Sequence, residues 1–165
     1  MQVILALHGS MGRLIMSQWL RKNGVFTLAT SEWNELTQIL RELFHSRNSS
    51  LKNSFETQYS LSESLRGEIR NTYDMRNPAF LMVVDIGLLD LSTDIWKEQL
   101  NFLDKYSGKA KFALILNHDT SNAVKMELRR KGYILMVNKP LYKAKMVHIL
   151  EAVMKERNLE SQSRN

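Results

Sequence analysis

Phe80-Leu81-Met82-Val83-Val84-Asp85-Ile86-Gly87-Leu88-Leu89 is the stretch on which the reading of this chain turns. Five consecutive apolar residues, too short for a buried helix, suit a strand covered on both faces, as in a parallel sheet. The run stops at a carboxylate, so Asp85 is expected to emerge at the edge of the sheet, partly desolvated.

Similar short runs recur on either side. Val3 to Leu7, Val25 to Ala29, Phe112 to Leu116 and Ile134 to Val137 are four further strand candidates. Between them lie segments with apolar residues at three- and four-residue spacing: Leu14 to Lys22, Glu32 to Phe44, Thr93 to Tyr106, Ser121 to Lys131 and Lys143 to Arg157. Gly24, Gly108 and Gly132 are placed as helix C-terminal caps, and Ser31, Ser92 or Thr93, and Asp119 or Thr120 as N-terminal caps. Strict alternation of strand and helix implies right-handed crossovers and a doubly wound α/β fold: a five-stranded parallel sheet with helices on both faces.

One domain of residues 1–157 accounts for the length of 165 residues. One tract breaks its rhythm. Residues 46–77 hold seven serines and four asparagines with no clean period, which predicts a long polar insertion between the second helix and the third strand. Residues 158–165 are polar and predict a flexible tail.

No apolar run approaches the roughly 18 residues of a membrane span, so no direct membrane contact by this domain is expected. The chain has no cysteine, which excludes disulfides and thiolate metal sites. The formal charge of +6 raises the question of nucleic acid, but the basic residues are scattered as Arg21/Lys22, Lys109/Lys111, Arg129/Arg130/Lys131 and Lys143/Lys145. That pattern fits helix ends better than a phosphate-binding stripe, so no nucleic-acid partner is expected.

Ligands of open parallel sheets gather beyond the carboxyl ends of the strands. There the sequence places Leu7-His8-Gly9-Ser10, Asp85-Ile86-Gly87, Asn117-His118-Asp119 and Asn138-Lys139-Pro140. Lys139 is positioned to pair with Asp85 or with a phosphoryl group. Such a pair is as often structural as catalytic.

The tract ending in Asp85 resembles the third strand of response-regulator receiver domains, where a phosphoacceptor aspartate closes a D-I-x-M-P type motif. Gly132-Tyr133-Ile134-Leu135-Met136-Val137-Asn138-Lys139-Pro140 resembles the final strand of the same family, with its glycine and K-P pair at the same spacing. The resemblance covers the chain apart from residues 46–77 and implies the flavodoxin-like strand order 2-1-3-4-5.

It also exposes departures. Receiver domains end the first strand in two adjacent acidic residues that help hold magnesium; here His8 and Gly9 stand in their place, and magnesium needs hard oxygen ligands. The hydroxyl residue that closes the fourth strand aligns with Asn117, the switch aromatic with Met136, and Leu89 stands at the family's proline.

The resemblance therefore implies a degenerate receiver, or pseudoreceiver, as carried by plant hybrid histidine kinases of the osmosensor and cytokinin-receptor types. Its implications are a vestigial phosphoacceptor Asp85 and a vestigial Lys139, magnesium binding lost or weak, no cofactor, and no catalysis by the domain itself. The domain is expected to lie in the cytoplasm as part of a membrane-bound sensor kinase. Its partners would be other domains of that kinase, or phosphotransfer and receiver proteins. Leu14, Ile15 and Met16 on the first helix are consecutive and cannot all face one core, which leaves two readings: a helix buried deeply on more than one side, or one with a residue of the triplet exposed for docking.

The same residues fit two other functions. Asp85 could be a working phosphoacceptor in an atypical site. Gly9-Ser10-Met11-Gly12-Arg13 could cradle a nucleotide in a flavodoxin-like domain, although it lacks the dinucleotide fingerprint and the P-loop lysine. Two loop histidines, His8 and His118, are more simply polar loop residues than metal ligands. Trp19, Trp33 and Trp96 on amphipathic helices are expected in the core.

Overall fold

The computed structural model describes residues 1–45 and 80–163. The insertion expected at 46–77 lies outside them. The chain divides into two compact units, Met1–Phe80 and Leu81–Asn165.

The first unit contains β1 (Gln2–Ala6), α1 (Ser10–Lys22), β2 (Phe26–Thr30) and α2 (Trp33–His45). β1 is buried throughout and pairs in parallel with β2, from Gln2 opposite Phe26 to Ala6 opposite Thr30. α1 packs on β2 and β1. It turns into the second strand through Gly24, whose φ of 79° is in the left-handed region that glycine enters without strain. Arg21 then donates from Nε and Nη2 to the Thr27 carbonyl, so an α1 side chain occupies a backbone acceptor of β2.

The second unit contains β3 (Phe80–Asp85), which begins at the boundary, then α3 (Ile95–Asp104), β4 (Ala110–Leu116), α4 (Asn122–Arg130), β5 (Met136–Asn138) and α5 (Lys143–Ser163). β4 pairs in parallel with β5, from Leu114 opposite Met136 to Leu116 opposite Asn138. The sheet order is β2-β1-β3-β4-β5, the predicted flavodoxin-like arrangement. Leu81, Met82, Val83, Leu100, Leu103, Ala113, Ile115, Leu128, Met146 and Ile149 are buried and make up much of this unit's core.

Several boundaries differ from the sequence reading. β5 starts at Met136 rather than Ile134, because the chain leaves the left-handed Gly132 (φ 93°) with Tyr133 turned inward and Ile134 83% exposed. Gly108 has no positive φ. α3 stops at Asp104 and unwinds through the turn bonds Tyr106 N–H to Leu103 O and Ser107 N–H to Asp104 O. Ser121 caps α4, its hydroxyl accepting from the Val124 N–H at 3.2 Å, and Thr120 is spent elsewhere.

The largest difference is at the end of the chain. α5 runs through Ser163, so most of the segment expected to be a flexible tail is helical. Lys111 on β4 tethers this part of the helix: its ammonium bridges Glu156 at 3.0 Å and Glu160 at 2.8 Å, one turn apart on α5. The Glu160 bond, with Glu156 behind it, raises the Lys111 pKa above its ordinary value. Among the described residues, no helix is long and apolar enough to cross a membrane.

Candidate functional site around Asp85 and Lys139

β3 delivers Asp85 as the last residue of a wholly buried strand, and Asp85 itself is buried. A carboxylate there must be fully partnered to be tolerated. Its Oδ1 accepts the Gly87 N–H at 2.8 Å, which makes Asp85 the N-cap of a 3₁₀ turn over Ile86–Leu88. Ile86, Leu88 and Leu89 all point inward, so the turn is pinned by apolar side chains on both sides of Gly87. Leu89, at the position of the family's proline, is thus a packing residue.

The same Oδ1 receives the Lys139 ammonium at 2.8 Å. The pair is lopsided: the side chains are 2% exposed for Asp85 and 34% for Lys139. Lys139 reaches the carboxylate because it follows β5 by one residue. Its own N–H donates to the Leu116 carbonyl at 2.8 Å, extending the β4–β5 register by one bond. The peptide bond to Pro140 is cis.

The remaining predicted residues of this unit take up less direct positions. Asn117 is half-buried, and its backbone is closed into a turn: its N–H donates to the Thr120 hydroxyl at 2.9 Å and its carbonyl accepts from the Thr120 N–H. Met136 is half-buried on β5, and His118 is exposed. Two participants escaped the sequence reading. Thr120 locks the loop after β4, and Lys145, in the first turn of α5, donates to the carbonyls of Asn138 at 2.6 Å and Pro140 at 3.0 Å. The Asn-x-x-Thr spacing was a usable signal for the first; the second had none in spacing alone.

In the first unit, β1 ends at Ala6, and Leu7-His8-Gly9-Ser10 supplies no carboxylate. His8 is exposed. Gly9 is the N-cap of α1 without a side-chain cap bond, and Gly12 lies inside the helix, so only one of the two glycines belongs to a loop. Neither is demanded by packing, since a Cβ at either would meet nothing within 4 Å. Arg13 folds back, donating to the Leu7 carbonyl at 2.8 Å. Of the three consecutive apolar residues, Met16 is buried while Leu14 and Ile15 are exposed, and Met11 is exposed beside them. Trp96 is buried as expected, whereas Trp19 and Trp33 are only half-buried.

Among the described residues, no three His, Asp or Glu side chains are gathered to hold a metal ion. The chemistry on hand is a buried carboxylate whose Oδ1 accepts from both an ammonium and a backbone N–H.

No family model matches the chain, and no solved structure matches it. Over 155 residues, 94% of its length, it is 59% identical to Histidine kinase 1 of Arabidopsis thaliana, of which the match spans 13%. With the 2-1-3-4-5 parallel sheet and the Asp85–Lys139 pair, that likeness identifies the chain as the relative of one segment of a plant histidine kinase, built on a receiver-like α/β fold.

Proposed function

We propose that this domain is a pseudoreceiver of a hybrid histidine kinase, a regulatory and interaction module of a phosphorelay that does not itself accept phosphate. One observation carries the reading: the buried Asp85 has its Oδ1 occupied by Lys139 and the Gly87 N–H. The sequence after β1, Leu7-His8-Gly9-Ser10, also lacks the acidic pair of the receiver pattern. A single engaged carboxylate is a poor magnesium ligand. Phosphoryl transfer relies on metal and charge neutralisation of the moving group, so the rate through Asp85 falls by orders of magnitude.

Recognition is then the remaining task, and α1 is the face that suits it. Met11, Leu14 and Ile15 leave an apolar strip exposed on a helix whose last turn is basic, with Arg21 and Lys22. Its partners are other domains of the same kinase, or phosphotransfer and receiver proteins, on the cytoplasmic side of a membrane-bound parent. The test is incubation with acetyl phosphate and magnesium followed by intact-mass measurement. No added phosphoryl mass is expected, and a stable adduct mapped to Asp85 refutes the reading in favour of a working, atypical phosphoacceptor.

A further inference from the structure

The first turn of α5 breaks a local rule. It contains no acidic residue and two cations, Lys143 and Lys145, at the end of the helix where the backbone dipole is positive and cations are disfavoured. A residue that violates local preference usually answers to something else.

For Lys145 the structure shows what that is. Its ammonium is turned back over the loop and donates to the carbonyls of Asn138 at 2.6 Å and Pro140 at 3.0 Å. These are the residues on either side of Lys139. The Tyr142 ring lies 4.6 Å from the same ammonium and covers it from another direction. With its own N–H on the Leu116 carbonyl, Lys139 has its backbone tied at three successive points: the carbonyl before it, its own amide, and the carbonyl after it. The side chain then has one task, reaching Asp85 at 2.8 Å, and charge-assisted bonds of that length tolerate little displacement of either end.

We infer that Lys145 is a positioning residue that clamps the 138–140 loop so that Lys139 stays on Asp85. The inference goes beyond the proposed loss of phosphorylation and holds whether or not Asp85 accepts a phosphoryl group, because it concerns the ion pair itself.

The experiment is proton–nitrogen NMR of the lysine ammonium groups in the ¹⁵N-labelled chain at low temperature, with the melting temperature recorded on the same samples. The ammonium signal that disappears in Asp85→Asn belongs to Lys139. Lys145→Met is expected to abolish that signal while those of Lys111 and Lys131 persist, and Lys145→Arg, which can still bridge two carbonyls, is expected to retain it. If Lys145→Met does not fold, Lys145→Gln, with reach for one carbonyl, is expected to show the same loss. A lowered melting temperature with the Lys139 signal intact overturns the inference, because Lys145 then only steadies the start of the helix. Absence of any Asp85-dependent ammonium signal in the unaltered chain overturns it as well.

Discussion

Two of the aspartate–lysine pairs described in the second unit differ in which partner is buried. Asp85 and Lys139, beyond the carboxyl ends of the strands, meet at 2.8 Å with the acid 2% and the base 34% exposed. Asp104 and Lys131, at the end of α3 and just after α4, meet at 3.0 Å with the acid 35% and the base 11% exposed. The second pair is shared among more groups: Asp104 also accepts the Tyr133 hydroxyl at 2.7 Å, and Lys131 also donates to Asn101. Beside it lies a groove of about 580 Å³, lined in part by Phe112, Tyr133 and Leu135. An aspartate–lysine contact is therefore, in this molecule, an ordinary way of joining two elements. What distinguishes Asp85 is that the buried member is the carboxylate, and that the lysine opposite it stands in a loop rather than beside a helix.

That contrast makes the effect of substitution depend on which partner is removed. The largest expected effect is from Lys139→Met, which strands a buried carboxylate and costs about 3 kcal/mol, whereas Asp85→Asn leaves an ammonium that water can reach and costs about 1 kcal/mol. At the other pair the order reverses. Asp104→Ala deprives a nearly buried ammonium of its counter-charge and costs about 2 kcal/mol, more than Lys131→Met, which leaves Asp104 half in water and still bound to Tyr133. Urea denaturation of the four variants checks both orders, and equal losses within each pair would show that burial of the charged partner does not set the cost.

A smaller effect is expected at Tyr133. Burial, followed by the hydrogen bond to Asp104, raises the phenol's pKa well above its ordinary 10.0. The folded state then keeps a proton that the unfolded chain releases above pH 10, so the stabilisation is complete below that pH and is lost as pH rises through the folded value. Lys111, whose pKa is also raised, acts in the same direction. Tyr133→Phe should cost about 1 kcal/mol at neutral pH and flatten the alkaline decline in melting temperature. An unchanged alkaline slope would remove Tyr133 from the explanation.

The smallest effect on stability is expected on α1. Leu14→Asp and Ile15→Asp alter exposed side chains and should change stability by less than about 0.5 kcal/mol. If α1 is the docking face, the same substitutions abolish binding of a phosphotransfer partner. Substantial unfolding of either variant would show that these residues belong to the core.

The run from Phe80 to Val84 made the central strand legible because burial on both faces leaves no alternation to misread, and the glycines at 24 and 132 marked real left-handed turns. Asp85 and Lys139 were legible as a pair because strand ends in a parallel sheet converge. What was hidden depended on contacts between distant positions. The contact of Lys111 with the helical residues Glu156 and Glu160 joins positions 45 and 49 residues apart, which no local pattern reveals. The clamp by Lys145 follows from where α5 begins relative to β5. The exposure of Leu14 and Ile15 beside the buried Met16 could be anticipated only as one of two outcomes, since an apolar triplet does not say which side of a helix is wet.

Asp85 is held by its lysine, and the proposed pseudoreceiver role requires that magnesium not displace that lysine. Magnesium titration of the ¹⁵N-labelled chain, followed at the amides of Asp85, Gly87 and Lys139, tests it most directly. Only small, linear, non-saturating shifts are expected through the millimolar range, with no change in the Lys139 ammonium signal. Saturable millimolar binding centred on Gly87, with loss of that ammonium signal, would contradict it.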